Sequence, residues 1–279
     1  MKKIMMMAII SSILARNVSA EIHPDRVVEY KRIGERGLNL YIFNPAGHKP
    51  GDKTPAIVFF FGGGWVGGSP TQFYNQSRYL ASQGMVAVCA DYRVKKRDHT
   101  SPKECVQDGK SAIRWMRAHA DELGIDPDRI AAGGGSAGGH IAAATSVVEA
   151  FNEPGEDQSV SCRPNALVLF NPVFDNGPGG YGHGQVKEYW QDISPLYNLD
   201  KEAVPTLVML GTEDQLVPVA TAEKYKAKME QLGVRCDLRL YEGQPHGFFN
   251  SGSNYEQTLS AMEGFLTSLG FLEKEKGSQ

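Results

Sequence analysis

The sequence predicts an α/β domain built on a mostly parallel central sheet flanked by helices. Two observations carry this prediction: continuously apolar runs recur along the chain, and stretches with helical spacing separate them. Runs without polar alternation are typical of strands covered on both faces, and strands that alternate with helices form parallel sheets. The predicted strands are residues 38–43, 56–61, 85–90, 129–134, 166–173, 206–211 and 237–243.

Five stretches between or after these runs predict helices. In residues 102–123, Val106, Ile113 and Met116 recur at helical spacing, and Gly124 follows as a stop signal. The other predicted helices are residues 76–83, 136–150, 219–232 and 257–269. Loops at the carboxyl ends of parallel strands carry the chemistry of such folds, so candidate functional residues should follow the apolar runs.

Composition excludes several classes of protein. The chain has 279 residues, 41% of them hydrophobic, which is enough to bury a substantial core. With 29 basic and 32 acidic side chains it has no basic excess, so nucleic acid is not an expected partner. Four cysteines, at positions 89, 105, 162 and 236, are too few for a disulfide scaffold and lack metal-ligand spacing, and the sequence does not indicate whether they pair.

The first twenty residues have the pattern of a secretory signal peptide. Lys2 and Lys3 precede an apolar run at residues 4–14, and small residues stand at the two positions that a signal peptidase recognises. We therefore expect cleavage after Ala20, a secreted or periplasmic protein, and a single domain at residues 21–279; a cytoplasmic N-terminus is the alternative. The apolar run is too short to span a bilayer, so membrane integration is not expected.

The segment GGSAG at residues 134–138 matches the G-x-S-x-G motif between a predicted strand and a predicted helix. A serine on such a sharp turn needs small neighbours, because the close approach of the helix leaves no room for Cβ atoms. Gly133, Gly135 and Gly138 also fit a dinucleotide-binding fingerprint, but no acidic residue ends a strand some 20 positions later. A nucleophilic Ser136 is therefore the preferred interpretation.

A serine nucleophile needs a base, and the base needs a third group to orient it. In the chain order serine, acid, histidine, the acid follows a later strand and the histidine follows the last one. Asp214 and His246 stand at those positions. We predict that they form a catalytic triad with Ser136, while Glu213 and Asp175 remain alternative acids.

A glycine-rich segment, FGGGW at residues 61–65, follows the second apolar run. Glycines let backbone amides approach a developing oxyanion to hydrogen-bond distance. Gly63 and Gly64, together with the amide of Ala137 after the nucleophile, are the predicted oxyanion hole.

The sequence resembles a known family in four motifs: FGGGW, GGSAGG, GTEDQLVP and PHGFF. It is similar to the hormone-sensitive-lipase-like branch of the α/β-hydrolases, and more narrowly to secreted acetyl (xylan) esterase-like carbohydrate esterases, over residues 27–271. The resemblance implies an α/β-hydrolase fold and a serine esterase without metal ion or other cofactor. Two positions depart from the family pattern: Phe61 stands where the family usually has histidine, and Gly135 where it often has aspartate.

Family lipases usually carry a helical cap built from an N-terminal extension, but only about thirty residues separate Glu21 from the strand at 56–61. We therefore expect no large cap domain and an open site that favours short acyl groups on bulky alcohols. The predicted function is a secreted serine carboxylesterase that hydrolyses acetyl or other short acyl esters on a small or polymeric carbohydrate. A feruloyl or hydroxycinnamoyl esterase is the nearest alternative; a peptidase and a non-catalytic binding module are others. The oligomeric state is not predicted.

Aromatic residues near these loops are candidates for contact with substrate. The connection at residues 175–198 is long, as functional loops often are, and contains Tyr181, His183 and Trp190. Trp65, beside the glycines, is expected to line the cleft. The alternative for Trp190 is that it packs a short helix onto the body of the domain.

Overall fold

The computed structural model describes residues 21–273, so the predicted signal peptide at residues 1–20 lies outside the described residues. Within that range the sheet consists of β1 (Arg26–Ile33), β2 (Arg36–Phe43), β3 (Thr54–Phe60), β4 (Val86–Ala90), β5 (Ile125–Gly135), β6 (Ala166–Phe170), β7 (Thr206–Gly211) and β8 (Cys236–Tyr241). The strands lie in the order β1-β2-β4-β3-β5-β6-β7-β8. The pairs β1–β2 and β2–β4 are antiparallel, and all other neighbouring strands are parallel. The prediction of a mostly parallel central sheet is confirmed.

Helices cover both faces of this sheet. Their bounds in the described part of the chain are α1 (Tyr74–Ser82), α2 (Lys95–Asp98), α3 (Pro102–Ala118), α4 (Ala120–Leu123), α5 (Ala137–Val147), α6 (His183–Val186), α7 (Trp190–Ile193), α8 (Val219–Gln231) and α9 (Gly252–Ser268). Short 3₁₀ turns add Pro70–Phe73, Pro195–Tyr197 and Phe248–Asn250. None of the helices in residues 21–273 is long and apolar enough to cross a membrane.

The core has two layers, one on each side of the sheet. Val58 of β3 packs in the layer that contains Ile141 of α5, whereas its neighbour Phe59 packs in the layer that contains Met262 of α9. Side chains alternate between the two faces of a strand, so a strand covered on both faces must be apolar at every position. This is why β3 forms a continuous apolar run in the sequence.

Some elements differ from those that the sequence predicts. Strand β1 was not predicted; it lies at the sheet edge, where exposed positions interrupt its apolar pattern. Strand β5 begins at Ile125 rather than residue 129, because Ile125 pairs with Thr54 across an irregularity in the ladder. The helix predicted at residues 102–123 divides at His119 into α3 and α4, and α9 begins five residues earlier than predicted.

The connection between β6 and β7 carries the helices α6 and α7, each of four residues. Among the described residues this connection and the other loops hold no large cap domain, as the sequence predicts. In the described part of the chain, loops and short helices therefore cover the carboxyl ends of the parallel strands.

A buried ion-pair cluster attaches β1 to α3. The Asp108 side chain has no exposed surface and accepts hydrogen bonds from Arg93 Nε at 2.8 Å, from Arg93 Nη2 at 2.7 Å and from Lys31 Nζ at 2.6 Å. Glu153 accepts further bonds from both cations, at 2.6 Å from Lys31 and 3.1 Å from Arg93. Two acids thus neutralise two cations in a site with little access to water.

Asp108→Asn is expected to lower the free energy of unfolding by about 3–5 kcal/mol, because it leaves two buried cations to share the single carboxylate of Glu153. Urea unfolding at neutral pH measures this loss. The matched control is Glu29→Gln, which removes the same charge from a solvent-exposed pair with Arg32 and is expected to cost about 1 kcal/mol or less. Equal losses in the two variants would contradict this account of the cluster.

Candidate active site

Ser136 lies on the sharp turn between β5 and α5. Its backbone has φ 53° and ψ −117°, in the positive-φ region that is strained for any residue but glycine. The turn is held by hydrogen bonds from the Ser136 amide to Phe170 O at 2.9 Å and from the His140 amide to Ser136 O at 3.0 Å. The serine hydroxyl is thereby fixed at the carboxyl end of the central strand.

Three glycines around Ser136 have no room for a side chain. A Cβ on Gly134 would lie 2.5 Å from Phe60 O, and one on Gly138 would lie 2.0 Å from the same oxygen. At Gly135 a Cβ would lie 2.6 Å from Cζ of Phe249. The first two contacts explain the glycines of the motif, because the end of β5 and the start of α5 both approach Phe60 of β3 too closely for a Cβ. The third shows that Phe249 occupies the space that an aspartate at position 135 would need.

The hydroxyl of Ser136 begins a chain of hydrogen-bonding side chains that runs through a histidine to a carboxylate. His246 Nε2 lies 2.9 Å from Ser136 Oγ, and His246 Nδ1 lies 2.7 Å from Asp214 Oδ2. The other oxygen of Asp214 accepts hydrogen bonds from the amides of Leu216 at 2.8 Å and Val217 at 2.9 Å. These amides leave Oδ2 free to orient the imidazole ring.

The carboxylate of Asp214 is kept ionised by its hydrogen bonds. Burial raises the pKa of Asp214, but the bonds from His246 and from the two backbone amides outweigh burial and hold the pKa below its ordinary value. The alternative acids do not bond to the histidine: Glu213 is exposed, and Asp175 accepts a bond from the Gly177 amide at 2.7 Å. Asp214 is thus the acid that the structure brings to His246.

The glycine-rich loop runs beside the serine. A Cβ on Gly62 would lie 3.5 Å from Ser136 Cβ, and Gly63 and Gly64 have φ values of 126° and 63° that favour glycine. Within residues 21–273 no backbone or side-chain group accepts a hydrogen bond from the amides of Gly63 and Gly64. The amide of Ala137 opens α5 and has no intrahelical partner. Three amide donors are therefore unoccupied at this end of the sheet.

Two sets of contacts hold the glycine loop in place, although position 61 lacks the histidine that the family usually has. One is an aromatic stack and the other is a pair of hydrogen bonds made by a side-chain amide. Phe61 is buried and stacks on Tyr92 at a ring distance of 4.0 Å, and the Tyr92 hydroxyl donates to Phe61 O at 2.6 Å. Gln72 Oε1 accepts from the Gly62 amide at 2.6 Å, and its Nε2 donates to Asn250 Oδ1 at 3.1 Å. The loop is thus tied to the body of the domain and to the segment that follows the histidine.

A cavity of about 410 Å³ opens at Ser136, and we call it the serine cavity. His246, Gly63, Gln72 and Asn250 are among the residues that line it with the serine. A larger depression of about 1040 Å³ lies between β8 and α9, but it contains none of the predicted site residues. The serine cavity is the one with the chemistry of a nucleophilic site.

Trp65 does not line a cleft, and that expectation is wrong. Its side chain has no exposed surface and packs against His140 and Tyr181, at ring distances of 5.0 Å and 5.8 Å. His140 is also buried, bonds to Ile193 O at 3.0 Å, and has its pKa lowered to about 4 by burial. Both rings therefore belong to the core behind the glycine loop.

The other aromatic candidates divide into two groups. Tyr181 lies beside the glycine loop, since its hydroxyl is 2.8 Å from the position of a Cβ on Gly64, and it lines a second cavity of about 250 Å³. His183 bonds to Asn176 O at 2.8 Å, and Trp190 packs against a small core cluster. Neither His183 nor Trp190 lines the serine cavity or the second cavity.

Sequence reasoning missed Asn171, which lies against the histidine. Its side chain accepts a hydrogen bond from the Gly247 amide at 3.0 Å, and its Nδ2 lies 3.4 Å from His246 Nε2. The signal was present, because Asn171 directly follows β6, which ends at Phe170. The predicted strand ran on to residue 173 and so counted this asparagine as part of the sheet.

The described residues offer no preformed metal site, since no three histidine, cysteine, aspartate or glutamate side chains in residues 21–273 come together in a group that could hold an ion. The four cysteines are free thiols. Cys89 is buried in β4 and lies 3.1 Å from Ser77 Oγ.

Two family models and several curated proteins match the chain. The BD-FAE family matches residues 40–173, and the dienelactone hydrolase family matches residues 178–275. An AB hydrolase superfamily protein of Schizosaccharomyces pombe is 30% identical over 240 residues, which cover 75% of this chain and 68% of that protein. An acetylxylan esterase of Xylanibacter ruminicola is 28% identical over 242 residues, which cover 81% of this chain but 46% of that protein. Other curated esterases that match are likewise covered over only about half of their length, 59% in the case of the Mycobacterium tuberculosis esterase LipC.

Solved structures of an esterase match over nearly their whole length. Apo esterase 2 of Thermogutta terrifontis is 43% identical with a TM-score of 0.88, covering 91% of this chain and 98% of that one. Structures of the same esterase with propionate bound and with butyrate bound each have a TM-score of 0.85 and 42% identity. A further structure is phosphorylated by paraoxon, with a TM-score of 0.87 and 43% identity.

Proposed function

Because the chain belongs to the α/β-hydrolase superfamily, we propose that it hydrolyses carboxylic esters through Ser136, His246 and Asp214. We propose that its substrates are esters of short-chain acids. Its relatives and structural neighbours include esterases, so the class of carboxylic ester hydrolase rests on both kinds of similarity. The observation that carries the proposal is the contact of His246 with Ser136 Oγ at 2.9 Å on one side and with Asp214 at 2.7 Å on the other. This is the geometry that an activated serine requires.

The proposed reaction has two halves. His246 Nε2 accepts the proton of Ser136 Oγ as that oxygen attacks the ester carbonyl carbon, and the negative charge on the carbonyl oxygen is stabilised by the amides of Gly63, Gly64 and Ala137. The imidazolium then gives its proton to the alcohol oxygen, the alcohol leaves, and an acyl-enzyme remains. Water, deprotonated by the same histidine, attacks the acyl carbon of this ester. The bond to Ser136 Oγ then breaks, the imidazolium returns the proton to Oγ, and the acid is released.

Aromatic rings limit the space for an acyl chain. Phe249 lines the serine cavity and packs against Phe73 and Phe170 at ring distances of 5.8 Å and 4.7 Å. A covered methylene contributes about 0.8 kcal/mol, but no large cap among the described residues can cover a long chain. The propionate and butyrate bound to the structural neighbour support the same size of acyl group.

We also propose that the alcohol is a carbohydrate and that the protein acts outside the cytoplasm. Ser69 and Thr71 line the serine cavity with hydroxyl groups, which suit hydrogen bonding to sugar hydroxyls. The similarity to an acetylxylan esterase supports an acetylated polysaccharide. Export rests on the signal-like sequence of residues 1–20.

The test measures the hydrolysis of nitrophenyl acetate, nitrophenyl butyrate, nitrophenyl octanoate and methyl ferulate. The enzyme is purified protein comprising residues 21–279. We expect kcat/KM for acetate and butyrate to exceed that for octanoate by about tenfold or more, because the longer chain meets Phe249 in the serine cavity. Release of acetate from acetylated xylan is the next measurement. A higher kcat/KM for octanoate would contradict the short-acyl proposal, and a preference for methyl ferulate would make the hydroxycinnamoyl esterase the better assignment.

A further inference from the structure

We propose that Asn171 is a positioning residue that keeps Nε2 of His246 unprotonated and ready to accept the proton of Ser136. The inference rests on the proposed esterase function. It adds a second residue, besides Asp214, that influences the protonation of His246. It is carried by the orientation of one buried amide.

The orientation of the Asn171 side chain follows from its partners. The Gly247 amide can only donate a hydrogen bond, so the atom that faces it at 3.0 Å is Oδ1. The NH₂ group is therefore turned to the other side, where it lies 3.4 Å from His246 Nε2. Because Asn171 is 1% exposed, water does not compete for this arrangement.

The backbone at position 171 favours the residue that is found there. Asn171 has φ 36°, a region in which asparagine and aspartate are enriched among non-glycine residues. Its amide also donates to Met209 O at 2.7 Å, which ties the residue to β7. The side chain is thus presented to the histidine by a conformation that aspartate can also adopt.

The NH₂ edge acts against protonation of the ring. Its hydrogens carry partial positive charge and lie beside Nε2, so they favour the neutral ring, whose Nε2 lone pair faces Ser136 Oγ, over the positively charged imidazolium. Asp214 acts in the opposite sense, since its carboxylate on Nδ1 stabilises the imidazolium. The asparagine therefore offsets part of the effect of Asp214 and leaves Nε2 as an acceptor.

No other charged group bonds to the ring among the described residues. The β5–α5 turn contributes the Ser136 hydroxyl, and the β7–α8 loop contributes Asp214. Glu213 on that loop and Glu242 before the histidine are both exposed, and the glycine loop at residues 61–68 carries no ionisable side chain. A change of charge at position 171 should therefore act directly on the protonation of His246.

The decisive variant is Asn171→Asp, which keeps an acceptor for the Gly247 amide and replaces only the donor edge with a carboxylate oxygen. A carboxylate at this distance stabilises the charged ring, so we expect the acid limb of the pH profile of kcat/KM to move up by about one pH unit or more. KM at the pH optimum should change by about twofold or less. The charge control is Asn250→Asp, which adds the same charge to the serine cavity without facing Nε2 and should shift the limb by less than half as much.

The protonation of His246 is also measured without turnover, by NMR titration of its ring nitrogens, with His246→Gln used to assign the signals. We expect the midpoint to rise in Asn171→Asp together with the acid limb. An unchanged midpoint in the folded variant, or an equal shift in Asn250→Asp, would overturn the role of Asn171. If the wild-type protein showed no serine-dependent hydrolysis, the esterase proposal would fail, and the NMR midpoints would still decide the inference about Asn171.

Discussion

Replacing Ser136 with alanine is expected to lower kcat for nitrophenyl butyrate by on the order of 10⁶-fold. The proposed mechanism forms an acyl-enzyme on Oγ, and no other hydroxyl among the described residues bonds to His246. The residual rate should be that of the oxyanion hole acting on a water molecule. Initial rates at saturating substrate measure the effect.

The same variant separates an absent nucleophile from a misfolded protein. Paraoxon phosphorylates the structural neighbour, so we expect wild-type protein to release one equivalent of nitrophenol from paraoxon and the Ser136→Ala protein to release none. The matched control is Ser146→Ala on the same helix, whose hydroxyl has no hydrogen-bond partner in the described part of the chain; its rate should stay close to wild type. Stoichiometric nitrophenol release by Ser136→Ala would show that another residue is the nucleophile.

The side chains that meet at Ser136 could be selected from the sequence because of how a parallel sheet is built. Ser136, Asp214 and His246 follow β5, β7 and β8, and parallel neighbouring strands end at one edge of the sheet. The order of apolar runs therefore determines which loops face each other. The hydrogen-bond distances could not be read from the sequence, since they depend on φ at Ser136 and on the amides that hold Asp214.

For Trp65 the prediction from the sequence was wrong, and Asn171 was not predicted at all. Trp65 follows the glycines closely enough to suggest a place in the cleft, but at φ 61° its side chain turns into the core. The direction of a side chain in a loop depends on backbone angles that a glycine-rich sequence leaves open. Asn171 was missed for a different reason: Pro172 and Val173 prolong the apolar pattern past the end of β6, so the strand boundary was placed three residues late.

Phe61 shows how a departure from a family pattern can be compensated locally. The stack on Tyr92 and the hydrogen bond from the Tyr92 hydroxyl to Phe61 O hold the start of the glycine loop. Gln72 holds the next residue through the Gly62 amide. The donors proposed for the oxyanion hole are backbone amides, so they need a rigid loop but no particular side chain at position 61.

Asp214→Asn is expected to lower kcat by on the order of 10⁴-fold. The amides of Leu216 and Val217 donate to one oxygen of the native carboxylate, at 2.8 and 2.9 Å. In the variant these amides require the carbonyl oxygen at that position, which forces the NH₂ group toward His246. Two donors cannot face each other, so the ring must carry its proton on Nε2 and can no longer accept one from Ser136.

The matched control for this variant is Asp175→Asn, because Asp175 also accepts a backbone amide, that of Gly177, but does not bond to the histidine. Its kcat should stay within about threefold of wild type, as expected for a polar substitution outside the reacting groups. Both variants should keep the wild-type melting transition, so that a lost rate reports on the tautomer and not on unfolding. A mild Asp214→Asn together with a severe Asp175→Asn would move the acid to the loop after β6. Because the amides of Leu216 and Val217 dictate the orientation of the new side chain, the large loss should persist at every pH at which the protein stays folded.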